Sequence, residues 1–196
     1  RDSLGNDVAE QATPITLALA SGTGVLSGTT TRTTDATGLA TFDDLGVNLS
    51  GTKTLSASSS GLVNATSTSF AISAGTASRL EFTQQPTNTV AGASISPAVT
   101  VQVKDAQGNS VRTAGISVSI ALTSGTGTLT GTLVQPTDAN GLATFGNLIL
   151  NLTGAKKLTP SATGLTSVAS NEFTITAGAA NKLVFTTSPG GGTAGT

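Results

Sequence analysis

The sequence contains no cysteine, histidine, methionine, tryptophan or tyrosine in 196 residues. Without Cys and His there is no Ser-His triad, no thiol nucleophile, no zinc site of the His/Cys type, no haem ligand and no disulfide. Without Trp and Tyr the best stacking platforms for bases or cationic ligands are missing. Charge is scarce too. Lys, Arg, Asp and Glu make up 10% of the chain, 9 basic and 10 acidic, for a net charge of −1; an ordinary soluble domain carries about 25%. No basic stripe is available for nucleic acid or for an anionic membrane surface. No apolar run approaches the ~20 residues of a membrane helix. No signal-peptide pattern opens the sequence, so an export signal is expected outside 1–196.

What fills the chain is Thr (37), Ser (22), Ala (26) and Gly (24). Such a bias can mean disorder, but hydrophobic residues still reach 37%, and they alternate. Val99, Val101 and Val103 share one face of an extended segment; Ile116, Val118, Ile120 and Leu122 share one face of another. Period-two spacing of β-branched residues predicts strands, and Thr suits their outer faces. No helical periodicity competes.

The sequence also repeats. Thr34-Asp35-Ala36-Thr37-Gly38-Leu39-Ala40-Thr41-Phe42 returns as Thr137-Asp138-Ala139-Asn140-Gly141-Leu142-Ala143-Thr144-Phe145, a shift of 103 positions (137 − 34). The same shift maps Ser21-Gly22-Thr23-Gly24 onto Ser124-Gly125-Thr126-Gly127, Asp2 onto Asp105, Asn6 onto Asn109 and Gly75 onto Gly178, without a gap. All six Phe pair at this spacing: Phe42 with Phe145, Phe70 with Phe173, Phe82 with Phe185. All are expected in the core. A period of this length made of strands is the size of one β-sandwich domain. About seven strands are expected per repeat, with turns every ~8–12 residues. In the complete copy they fall at Leu80–Gln84, Ala98–Lys104, within Val111–Thr123, at Thr128–Val134 (ending before Pro136), at Leu142–Phe145, around Leu158 and around Phe173–Ile175. The loop Asp105–Asn109 is a hairpin connection, with Gly108 free to take positive φ.

The pattern Val-x-Val-x-Asp-x-x-Gly-Asn-x-Val within Val99–Val111, followed by Thr137–Phe145, resembles the bacterial immunoglobulin-like (Big) repeats of invasin/intimin-type adhesins and other giant surface proteins. The resemblance covers nearly the whole chain, since Asp2–Val8 and Thr34–Phe42 form the second copy. It implies an all-β fold of tandem immunoglobulin-like sandwiches displayed outside the cell, and it implies no particular ligand.

The boundaries follow from the shift. Arg1 is equivalent to Lys104, so residues 1–75 are a repeat lacking its first two strands. Residues 76–178 are a complete repeat. Residues 179–196 hold the opening strand of a further one, Leu183 and Phe185 mirroring Leu80 and Phe82. The partners expected are neighbouring copies of the same repeat, head to tail. Either the chain is a window on a longer array, or the missing strands come from another copy by strand exchange, a known recognition mode that builds a fibre when the contact does not close. Neither nucleic acid nor membrane insertion is expected; contact with a cell surface or glycan is open. The alternative role is an adhesin module for a host protein or glycan, and a third is an accessory domain of a secreted enzyme.

Candidate sites are few. Asp105 with Asn109, and Asp2 with Asn6 and Asp7, offer oxygens to calcium, as do Asp35, Asp43, Asp44 and Asp138. Calcium takes six to eight oxygens, and these acids sit at turn positions where Asp caps its own loop, the favoured reading. Asn48, Asn64 and Asn151 begin Asn-x-Ser/Thr triplets and are glycosylation candidates. Lys53 and Lys156 are equivalent and stand near Asn48 and Asn151. A Lys–Asn isopeptide bond needs a buried acid that the sequence does not identify, so both read as ordinary strand-end lysines. Neither a phosphate loop nor a repeated carboxylate pair is present, so no cofactor, no resident metal and no catalysis are expected.

Overall fold

The computed structural model describes residues 1–192 and Gly195, with no helix among them. The first copy of the repeat contains β1 (Pro14–Ser21), β2 (Leu26–Ser27), β3 (Thr31–Thr33), β4 (Gly46–Val47), β5 (Gly51–Ser58), β6 (Ala65–Thr66) and β7 (Phe70–Ile72). The second contains β8 (Arg79–Gln84), β9 (Thr89–Val90), β10 (Val99–Lys104), β11 (Ser117–Ser124), β12 (Leu129–Thr130), β13 (Val134–Pro136), β14 (Leu142–Phe145), β15 (Ile149–Leu150), β16 (Gly154–Ser161) and β17 (Phe173–Thr176). The shift of 103 holds in three dimensions. β1 to β5 begin and end at residues equivalent to those of β11, β12, β13, β15 and β16 respectively. The register is kept as well. β1 pairs with β5 and β11 with β16, both antiparallel, and both ladders slip at the same place, between Leu19 and Ser21 and between Leu122 and Ser124.

In the second copy two sheets face each other. One has the order β14-β10-β8, the other β13-β11-β16-β17-β9, with β12 and β15 as a short pair at the side. Alternation along β10 turns Val99, Val101 and Val103 inward beside Leu80, Ala143 and Phe145. Val118, Ile120, Leu158, Phe173 and Ile175 from the other sheet complete the same buried cluster. Each such Val, Leu, Ile or Phe side chain contributes about 1.5–3 kcal/mol when fully buried. This is a β-sandwich with the alternation that the sequence predicts.

The first copy has only one of these two sheets, β3-β1-β5 with β6 and β7 on the far side of β5. By the 103-residue shift, residues 1–75 contain no equivalent of β8 and, of β10, only Arg1, the equivalent of Lys104. Among the described residues, every fully buried apolar side chain lies between Leu80 and Ile175; Ile15, Leu17, Leu19 and Leu55 of the first copy stay half-buried. The absent sheet also unmakes a strand. Leu142–Phe145 is extended because it pairs with β10, Val99 opposite Phe145. The identical Leu39-Ala40-Thr41-Phe42 has no such partner and forms no strand.

Several expectations need correction. Thr128–Val134 is two short strands, interrupted at Gly131, and the second runs through Pro136. β13 is the outermost strand of its sheet, where a missing N–H costs no ladder bond. The Phe residues are not uniformly core: Phe145 and Phe173 are buried, Phe42, Phe70 and Phe82 half-buried, and Phe185 is 81% exposed. Residues 179–192 form no strand. No equivalent of β10 stands among residues 179–192 to pair with Leu183–Phe185, and a lone apolar strand has nothing to hydrogen-bond. The rest of the expected opening strand includes Thr193, Ala194 and Thr196, which lie outside the described residues.

Candidate functional site

Among the described residues no group of acids is close enough to hold a metal ion. The polar constellation with the longest reach lies where the two copies meet. It is built on the loop between β10 and β11. Asp105 accepts hydrogen bonds from the Asn109 backbone at Oδ1 (2.7 Å) and from Asn109 Nδ2 at Oδ2 (2.8 Å), which closes the loop. Gly108 turns the chain at φ +91°, as the sequence predicts.

This loop also holds the first copy. Oδ2 of Asp105 accepts a third bond from the Gly75 backbone N–H (2.8 Å). Asn109 Oδ1 accepts from the Ser50 N–H (2.9 Å), and its Nδ2 donates to the Asn48 carbonyl (3.1 Å). Arg79 braces the loop by donating from Nη1 to the Asp105 and Ala106 carbonyls (2.9 and 3.2 Å). Asp105 and Asn109 are both buried there. The N–H donors converging on Asp105 make an anion's environment, which its own carboxylate fills. Beside the contact runs an open cleft of about 960 Å³, lined by residues of both copies, including Leu49, Thr52, Ile72, Lys104 and Arg112, and by no aromatic side chain.

Burial pushes the Asp105 pKa up. The hydrogen bonds from Asn109, Gly75 and the loop backbone outweigh it and hold the carboxyl below its ordinary value. A carboxyl more acidic in the folded than in the unfolded chain lends stability that is complete above the unfolded pKa, about 4, and disappears as pH falls through the folded value. Turn hydrogen bonds act in the same direction on Asp2 (chiefly from Asn6), Asp35 (Thr37), Asp44 (Thr29) and Asp138 (Leu142). The expected result is a melting temperature that is level from neutral pH down to about 4 and falls below it. Asp105→Asn should lower the neutral plateau and make the acid limb shallower, as read by circular dichroism melts across pH.

The other candidates fall into place around this junction. Asp2 and Asn6 repeat the internal geometry of Asp105 and Asn109, with Nδ2 to Oδ2 and N to Oδ1 both at 2.9 Å, but they are exposed and touch no neighbour. Asp44 accepts from Thr29, and its equivalent Asn147 accepts from Thr132, so a carboxylate and an amide fill one structural role. Asp43 pairs with Arg32, Asp35 and Asp138 cap their own turns, and Asp7 pairs with Arg1. Asn48 and Asn151 are exposed, with Oδ1 tied to the Val25 and Thr128 amides (2.7 Å each); Asn64 stands exposed in a loop. The two lysines are not ordinary strand-end residues. Lys53 and Lys156 are both buried, with Nζ donating to the Ser50 and Thr153 carbonyls (3.0 and 2.9 Å). Sequence reasoning missed these bonds because nothing in the pattern tells a buried lysine from an exposed one. The equivalence of the two positions was the available signal.

A family model, "SMCHD1 Ig-like domain 6", matches residues 75–168. Over those residues the second copy is similar to an immunoglobulin-like domain. Solved structures similar to the chain include the D0-D1 domain of intimin (21% identity, TM-score 0.37, 89% of this chain and 86% of that one). Another is InvD of Yersinia pseudotuberculosis (22% identity, TM-score 0.38, 96% of this chain and 53% of that one). A third is a family 2 glycosyl hydrolase of Bacteroides cellulosilyticus (13% identity, TM-score 0.45, 84% of this chain), of which this chain spans 22%. No curated protein matches the sequence. The resemblance to bacterial immunoglobulin-like repeats read from the sequence agrees with the fold.

Proposed function

We propose that the chain is a structural segment of an extracellular bacterial stalk or fibre in which immunoglobulin-like sandwiches stand end to end. The observation that carries this reading is the junction: two copies of one sandwich, in one sequence register, joined by a loop that hydrogen-bonds the preceding copy at three of its backbone groups. Length then comes from repetition, and stiffness from a bonded contact between neighbours. The surface suits the role, since a face rich in Thr and Ser with little net charge offers neighbouring copies little repulsion. Lack of Cys and Met makes it insensitive to oxidants outside the cell.

In this reading the sheet absent from the first copy is supplied by a neighbour, through residues preceding it in an array or through a strand exchanged from another copy. Negative-stain imaging of the native material tests the role. Beaded rods with one bead per repeat are expected, and discrete globular particles would overturn it. Light scattering of the 196-residue chain over rising concentration separates the two supply routes: strand exchange gives growing assemblies, an array segment stays monomeric.

A further inference from the structure

The junction inside the chain has two sides, and each side recurs at an outer end without a partner. One side is the Asp105–Asn109 loop. Its equivalent at Asp2–Asn6 already has the closed shape, with the same two Asn-to-Asp bonds within 0.2 Å (2.9 and 2.9 Å against 2.7 and 2.8 Å). The other side is the edge formed by the Asn48 carbonyl and the Ser50 and Gly75 amides. Its equivalent is the Asn151 carbonyl with the Thr153 and Gly178 amides, all in exposed residues.

That outer edge is held in the same way as the occupied one. Lys156 Nζ fixes the Thr153 carbonyl at 2.9 Å, as Lys53 fixes Ser50 at 3.0 Å. Asn151 Oδ1 fixes the Thr128 amide at 2.7 Å, as Asn48 fixes Val25 at 2.7 Å. The groups offered to the loop are backbone groups, so the change of Ser50 to Thr153 leaves the edge chemically unaltered. Gly75 and Gly178 are equivalent, and a Cβ on Gly75 would stand in van der Waals contact with Asp105 Oδ2, at 3.4 Å.

We infer that the Asp-x-x-Gly-Asn loop is the docking key between successive repeats, and that Asp2–Asn6 and the Asn151–Thr153–Gly178 edge are the open halves of two further junctions, each filled by another copy of this repeat. The inner junction is the template. The loop's Asn reads one carbonyl and one amide of the preceding copy, its Asp reads a second amide, and the lysine beneath the receiving edge is a positioning residue. Turn closure alone accounts for Asn Nδ2 meeting Asp, since Asn6 does that without a neighbour. It leaves Asn109 Oδ1 on Ser50 unexplained. For the outer halves this rests on the stalk reading; for the inner junction it does not.

The two loops give the test its own control. Asn109→Ala and Asn6→Ala remove the same side chain from the same turn, and only the first touches another copy. In the full chain, amide hydrogen exchange at Ser50 is expected to quicken tenfold or more in Asn109→Ala and to stay at the wild-type rate in Asn6→Ala. Equal effects of the two variants, or none at Ser50, would overturn the assignment. A second measurement covers the case in which Asn109→Ala fails to fold. Two full chains joined through a copy of residues 94–103 keep the 103-residue register. In that tandem the Thr153 and Gly178 amides of the leading chain are expected to exchange at least tenfold more slowly than in the single chain, and to revert when Asn6 of the trailing chain is replaced by Ala. Unchanged exchange at both amides in the tandem overturns the open-half assignment. Rods in imaging with an unaffected Ser50 would leave the stalk standing on some other contact, whereas a deprotected Ser50 without rods would keep the key and remove the stalk.

Discussion

Phe145→Ala is expected to cost the chain about 3–5 kcal/mol, and Phe42→Ala, the same substitution at the equivalent position, about 1 kcal/mol or less. Both residues end the same nonapeptide frame, and both were expected in a core. Phe145 has no exposed surface and packs with the valines of β10, opposite Val99 in the ladder. Its truncation leaves a cavity walled by two sheets that cannot collapse onto it. Phe42 lies half-buried on a copy that lacks the facing sheet, so water already reaches its ring and little burial is lost. Urea titration followed by circular dichroism measures both, since the chain has neither Trp nor Tyr to report by fluorescence. Equal costs would mean that the first copy is closed in solution, by self-association or by rearrangement. In the tandem joined through residues 94–103, where the trailing chain's first copy regains its missing strands, Phe42→Ala in that chain is expected to rise towards the cost at Phe145.

This pair also shows how far the sequence could be read. Five strands recur in both copies at positions 103 apart, because each of them pairs within its own copy, although the sequence placed them only coarsely and merged β12 with β13. Leu39–Phe42 failed as a strand although its residues are those of Leu142–Phe145, because strand formation there depends on β10 and the equivalent of β10 is not in the chain. The same dependence explains Phe185, whose alternation with Leu183 is sound strand pattern with no ladder to join. The junction was half legible. Asp105 and Asn109 stood out as a repeated pair, and their turn chemistry was correct. Their bonds to Ser50, Asn48 and Gly75 were hidden, since the receiving groups are backbone atoms and carry no residue signature. Lys53 and Lys156 were visible as equivalents, yet their burial depends on what lies over them.

What lies over them is the Ser-Gly-Thr-Gly turn, and the expected effects there are nearly as large. Gly125 sits at φ +94°, and a Cβ added to it would stand 2.4 Å from the Ala155 carbonyl oxygen and 2.8 Å from Lys156 Cδ. Gly22 meets Thr52 and Lys53 in the same way, at 2.6 and 2.7 Å. The lysine stem therefore packs under the glycine while its ammonium reaches the Thr153 carbonyl. Gly125→Ala adds left-handed strain and a clash with fixed backbone, together about 2–4 kcal/mol. Lys156→Ala empties the space beneath the turn and frees a carbonyl, about 2–4 kcal/mol by comparison with other long side chains cut to Ala. Lys156→Met separates the stem from the charge. It keeps the aliphatic packing and removes a buried ammonium that has a single carbonyl partner. Removing such a group in favour of an apolar residue of similar volume is often neutral or stabilising. Met is therefore expected within about 1 kcal/mol of the wild type or above it, and Ala well below, in urea titrations of the three variants. Were Met as costly as Ala, the ammonium's bond to the Thr153 carbonyl would carry the stability of this turn as well as position the receiving edge.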